Sequence, residues 1–89
     1  MTTIRIPTPL RTYTGGRQTI DVEGSTVAEA LEDLARACPD IYPHLFKEGK
    51  LRGFVNIFLG EEDINYLDGL DTRLKADDRL LIVPSVAGG

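Results

Sequence analysis

The sequence predicts an α+β fold, a mixed sheet packed on one main helix. Two observations carry this. Strand-like runs lie near both termini and again at residues 51–59, and a single long stretch of helical periodicity separates the first pair of strands from the rest. With 89 residues, 42% of them hydrophobic, the chain has material for one modest core, and a single domain over residues 1–89 with a tail at 85–89 is expected.

The elements follow in order. Residues 2–6, TTIRI, are β-branched at most positions and read as a strand that Pro7 and Pro9 end, since proline donates no ladder bond. Thr14-Gly15-Gly16 signals a turn, and residues 17–22, RQTIDV, form a second strand, so the two pair as a hairpin. Thr26 and Glu29 match a capping box at the head of a helix over residues 25–38. Val27, Ala30, Leu31, Leu34 and Ala35 share one face of it, and Pro39 ends it. Residues 41–46 read as a short helical turn or an irregular packed loop. Residues 51–59, LRGFVNIFL, read as one strand, with Val55, Ile57 and Leu59 on one face and Phe54, Asn56 and Phe58 on the other. Residues 60–63 turn the chain, residues 64–66 return as a very short strand, and 67–74 form a loop with one 3₁₀ turn. The polar turn KADD at 75–78 leads into a last strand, 79–83.

Composition removes several function classes. A net charge of −4 argues against nucleic-acid binding, which needs clustered Lys and Arg, and against an anionic membrane surface. No run approaches the ~20 apolar residues of a membrane span, and MTTIRIP has no signal-peptide core. One cysteine, Cys38, excludes an internal disulfide. A cytoplasmic monomer is the expectation.

The inventory of reactive side chains is poor. His44, the only histidine, lies between Pro43 and Leu45 and reads as a packing or surface residue, with no ligand cluster around it to hold a metal. Cys38 closes the helix, away from the N-terminal dipole that activates thiolates, and reads as a small packing residue. Glu61, Glu62, Asp63, Asp77 and Asp78 fall in turns without the spacing of a calcium loop. Gly15-Gly16 lacks the lysine and helix of a phosphate loop. No catalytic residue and no resident cofactor are expected.

Attention therefore falls on the end, LLIVPSVAGG. Glycine lacks a Cβ, so Gly88-Gly89 is thin enough to thread a channel that any side chain would block. Residues 85–89 reach about 17 Å when extended. Ordering Val86–Gly89 costs about 4–8 kcal/mol, at roughly 1–2 kcal/mol per residue. The tail offers little area to offset this, so the body must dock as well. Phe54 and Phe58 are candidates for that contact, as are Leu81 and Val83 on alternate positions of the last strand. Each is equally a candidate for the core, because the sequence does not set the parity of LLIV.

The terminal VPSVAGG, the preceding LKADDRLLI and the strand order resemble the ubiquitin-like sulfur carriers of the ThiS/MoaD type, over nearly the whole chain. The segments IPTPLRTYTGG and FVNIFLGEEDINYLDGLDT are most similar to the cysteine-synthesis branch of that family. The resemblance implies a β-grasp fold whose first and last strands are adjacent and parallel. It implies that an ATP-dependent E1-like adenylyltransferase activates the Gly89 carboxylate and that sulfur replaces the adenylate, leaving a terminal thiocarboxylate. Gly88 then serves passage of the tail, with Val86 and Ala87 as its small approach. In the cysteine branch a pyridoxal-phosphate-dependent synthase provides an acceptor made from activated serine, and a zinc metallopeptidase releases cysteine. ATP, pyridoxal phosphate and zinc would all belong to partners. The same activated carboxyl would serve molybdopterin, thiamine or tRNA thiolation, or an isopeptide bond to a target lysine.

Overall fold

A computed structural model describes residues 1–84; residues 85–89, and with them the tail positions Val86, Ala87, Gly88 and Gly89, lie outside the described residues. Among the described residues seven strands and two α-helices are formed: β1 Thr2–Arg5, β2 Thr19–Val22, α1 Val27–Ala37, α2 Tyr42–Leu45, β3 Phe46–Lys47, β4 Lys50–Leu51, β5 Val55–Leu59, β6 Glu62–Asp63 and β7 Arg79–Pro84. Five strands make one mixed sheet in the order β2-β1-β7-β5-β6, and β3 and β4 pair separately. β1 runs antiparallel to β2 and parallel to β7, and β5 is antiparallel to both β7 and β6.

Hydrophobic alternation places one sheet face inward. Ile4, Ile20, Val22, Val55, Ile57, Leu80 and Ile82 meet Val27, Ala30, Leu31 and Leu34 of α1, all buried. Ile6, Leu10, Ile41, Leu45, Phe46 and Ile64 extend this core below the helix and loops. The parity left open in the sequence is thereby settled. Leu80 and Ile82, each 1% exposed, face the helix, and Leu81 and Val83 face away.

α1 starts where the capping pattern puts it. Thr26 Oγ1 accepts a hydrogen bond from the Glu29 N–H at 3.2 Å. The return bond differs from the simple capping box: Glu29 Oε1 accepts from the Ser25 N–H at 2.8 Å, one residue earlier. Gly24 makes this entry possible. Its φ is +153°, and a Cβ there would lie 2.7 Å from the Ala30 nitrogen.

Two sequence expectations are corrected. Residues 51–59 are not one strand. Leu51 pairs with Phe46 in the small β3–β4 ribbon, and a turn closed by the Val55 N–H on the Arg52 carbonyl at 3.0 Å separates it from β5. Gly53 and Phe54 sit on that turn rather than in the strand. Residues 64–66 are a 3₁₀ turn, not a strand. Asp63 caps it by accepting from the Asn65 N–H at 2.9 Å, and burying Ile64 under the sheet edge requires the chain to curl inward. The returning strand is the two residues before it, Glu62–Asp63. A 3₁₀ helix at Thr8–Thr14 was not expected, and β2 starts at Thr19 rather than at residue 17. Other expectations match: residues 41–46 contain the short helix α2, the 67–74 loop holds a 3₁₀ turn at Gly69–Asp71, and KADD is a turn with Asp77 at φ 69°.

Candidate functional site

Every outward side chain of the sheet face opposite α1 is half-buried or exposed, and which side chains these are is set by strand register. On β7 it carries Arg79, Leu81 and Val83; on β5, Asn56 and Phe58; on β1, Thr3 and Arg5; on β2, Thr19 and Asp21; on β6, Asp63. Phe58 lies directly opposite Leu81, and Asn56 opposite Val83. Opposed residues on one face have Cβ atoms about 4.5–5.5 Å apart, so these four side chains form one half-buried patch. The patch occupies the middle of the sheet and ends at Pro84, the last described residue before the tail.

Three of the four residues singled out for docking are therefore brought together: Phe58, Leu81 and Val83. Phe54 is not in their ladder. It is 40% exposed on the turn before β5, with the Arg52 guanidinium 5.8 Å from its ring centre. Arg52 is itself held by a hydrogen bond from Nε to the Pro43 carbonyl at 2.8 Å. Sequence reasoning put Asn56 on the face of Phe58 without naming it for docking, and it missed Arg5 and Arg79 as members of this face. The alternation of TTIRI, with Ile4 and Ile6 inward, carried the signal for Arg5; Arg79 had none, because its face follows from the parity of Leu80, which only the strand pairing sets.

The other candidates have structural roles. His44 is exposed and stacks on Tyr13 with ring centres 4.1 Å apart. Cys38 is half-buried and packs against the core. An open depression of about 480 Å³ beside it is lined in part by Tyr13, Arg17 and Asp40 and contains none of the docking candidates. Among the described residues no group of three or more His, Cys, Asp or Glu is placed to hold a metal ion, and no helix is long and apolar enough to cross a membrane. Every buried side-chain polar atom among them has a hydrogen-bond partner.

A helix lying across a mixed sheet whose first and last strands are central, adjacent and parallel defines a ubiquitin-like β-grasp protein. The particular family follows from comparison. The ThiS family model matches residues 4–89, and the chain belongs to that family. It is 38% identical over 90 residues to the sulfur carrier protein CysO of Mycobacterium tuberculosis, covering 98% of this chain and 97% of that protein. Among solved structures it is similar to a chain in the Amycolatopsis orientalis BexX/CysO complex, with a TM-score of 0.92, 40% identity and full coverage of both chains. It is also similar to small archaeal modifier protein 1 from Methanosarcina acetivorans, with a TM-score of 0.89 and 28% identity, covering 99% of this chain and 95% of that one.

Proposed function

We propose that this protein is a sulfur carrier whose Gly89 carboxylate is the working group, and that it serves cysteine synthesis. The observation that carries the reading is the 38% identity to the sulfur carrier protein CysO, over 98% of this chain and 97% of that protein. The chain is a co-substrate of other enzymes rather than an enzyme itself.

A carboxylate is an inert anion, so the sequence of steps begins with activation. A Gly89 oxygen attacks the α-phosphorus of ATP on an E1-like partner, and pyrophosphate leaves. Hydrosulfide from a sulfide donor then attacks the carbonyl carbon, AMP leaves and the S–H proton is lost, giving the thiocarboxylate. Its sulfur adds to the serine-derived acceptor of a pyridoxal-phosphate-dependent synthase. The adduct rearranges to a peptide-like bond, which a zinc metallopeptidase cuts. This chain's part is to present the carboxylate. Gly88 and the small Val86 and Ala87 pass the tail through a narrow channel, while Phe58, Leu81 and Val83 dock the body; Phe54 is a peripheral contact beside them. At about 25 cal/mol per Å², several hundred Å² of apolar contact offsets the 4–8 kcal/mol needed to order the tail.

The test is intact-mass measurement after incubation with the activating enzyme, ATP and a sulfur donor. The expected gain equals one oxygen-to-sulfur exchange, located on Gly89. Deleting Gly89 should abolish it while leaving the melting temperature unchanged, and a truncated chain that still delivered sulfur would refute the tail mechanism. Cysteine yield dependent on an activated serine identifies the pathway. A second reading, protein modification through an isopeptide bond, draws on the likeness to small archaeal modifier protein 1. Gly89–lysine adducts on cell proteins would favour it.

A further inference from the structure

The outer sheet face is polarised. One residue from each strand forms a transverse row, Thr19, Arg5, Leu81, Phe58 and Asp63, aligned by the pairs Arg5↔Thr19, Arg5↔Leu81, Phe58↔Leu81 and Phe58↔Asp63. The row runs from a cation through the apolar patch to an anion. Three strand spacings of about 4.8 Å separate Arg5 from Asp63, roughly 14 Å. On the cationic side, Thr3, Arg5, Thr19 and Arg79 line a depression of about 260 Å³.

Arg5 and Arg79 are both exposed, and among the described residues neither takes part in an ion pair. The one acid beside them on this face, Asp21, sits on β2 and accepts a hydrogen bond from Thr3 Oγ1 at 2.9 Å. Arg79 faces Thr3 and Arg5 faces Leu81, so the two like charges are diagonal neighbours on adjacent parallel strands, within reach of one another for long side chains. They are also out of keeping with a chain of net charge −4. Two cations flanked by Asp21 and Asp63 are too few for a nucleic-acid backbone, which needs a run of them.

We infer that Arg5 and Arg79 form a carboxylate-receiving site: an Asp or Glu side chain of the docking protein seats between the two guanidiniums while its apolar neighbours cover Phe58, Leu81 and Val83. The inference rests on the reading that this face docks the activating enzyme. Guanidinium forks match carboxylates in shape and charge, and bind them bidentately. The polarity of the row adds direction. A partner rotated by half a turn would set its carboxylate against Asp63, so the face admits one orientation. Orientation matters here because β7 delivers the tail from one end of the patch only.

The test measures association and dissociation of the full chain with its activating enzyme at low and at physiological salt. Arg5→Glu with Arg79→Glu should slow association about tenfold at low salt and flatten its salt dependence. Lys47→Glu with Lys50→Glu makes the same charge change on the exposed β3–β4 ribbon and should leave association near the native rate. Arg5→Lys with Arg79→Lys should keep the association rate, because charge is retained, and speed dissociation, because the fork is lost. Arg5→Ala with Arg79→Ala replaces the reversal if melting shows that the reversed chain is unfolded. Equal slowing by the arginine and lysine reversals would overturn the inference, as would no slowing by either. So would inorganic phosphate binding at Arg5 and Arg79 in an NMR titration without competing with the enzyme, the mark of a small-anion site. Thiocarboxylate formation alongside silent arginine variants refutes this inference alone. A native chain that neither binds the enzyme nor gains mass refutes the carrier reading, and this inference with it.

Discussion

Leu80 and Leu81 are consecutive residues of one strand with opposite duties, and replacing each by alanine should separate fold from function. Leu80 is 1% exposed, faces α1 and lies between Ile4 of β1 and Leu59 of β5. Truncating a buried leucine removes its transfer energy and leaves a cavity, a loss of about 2–5 kcal/mol. At about 3 kcal/mol, and 4–8 °C per kcal/mol for a domain of this size, Leu80→Ala should melt roughly 12–24 °C lower. Leu81 is half-buried on the outer face opposite Phe58. Half of about three methylene equivalents, at ~0.8 kcal/mol each, gives about 1.2 kcal/mol for Leu81→Ala. Binding should show the reverse order. Leu81→Ala should weaken the activating enzyme's hold roughly tenfold, about 1.4 kcal/mol, while folded Leu80→Ala binds nearly as the native chain does. Urea denaturation followed by circular dichroism, with calorimetric binding of the same samples, measures both. Equal destabilisation by the two variants, or native binding by Leu81→Ala, would refute the assignment of the outer face as the docking surface.

Two further variants test how α1 is started. Gly24→Ala puts a Cβ 2.7 Å from the Ala30 nitrogen at a φ of +153°, so it should cost at least about 3 kcal/mol from strain and clash together; a melting temperature within a few degrees of native would contradict the packing described. Thr26→Ala loses the side-chain bond to the Glu29 N–H and should cost about 1 kcal/mol, seen as a fall of roughly 4–8 °C.

Much of this fold was legible because local and global signals agree in it. α1 has a cap, a stripe and a proline stop within fourteen positions of sequence, and it forms over Val27–Ala37 with Thr26 as its cap. The strands failed where pattern alone had to decide. LRGFVNIFL is apolar enough to read as continuous, and only the tertiary pairing of Leu51 with Phe46 shows that Gly53 is a break. INY looks like a strand because isoleucine and tyrosine favour strands, yet the Asp63 cap and the burial of Ile64 turn it into a 3₁₀ turn. The docking face was half legible. Residues of alternating parity were visible, but which parity faces the helix depends on the pairing of β7 with β1 and β5, which no local stretch encodes. Arg79 escaped notice for the same reason, and its closeness to Arg5, 74 positions away in sequence, exists only through the parallel pairing.

That pairing also bears on the proposed function, because it puts the candidate docking residues Leu81 and Val83 on the strand that ends at Pro84. β7 is the middle strand of five, hydrogen-bonded to β1 on one side and to β5 on the other. Its inward residues, Leu80 and Ile82, are fixed by the core, so the period of two leaves Leu81 and Val83 no choice but the outer face. A slip by one residue would expose Leu80 and bury Leu81, at the cost of the whole helix–sheet contact. The core therefore holds the outer face in register. Pro84, where the described chain ends, is three residues beyond Leu81, about 10 Å along the strand. On the proposed function, a partner that gripped Leu81 and Phe58 would meet Pro84, the last described residue, at a fixed distance from that grip. The register this requires is held by the hydrophobic core on the opposite side of the sheet.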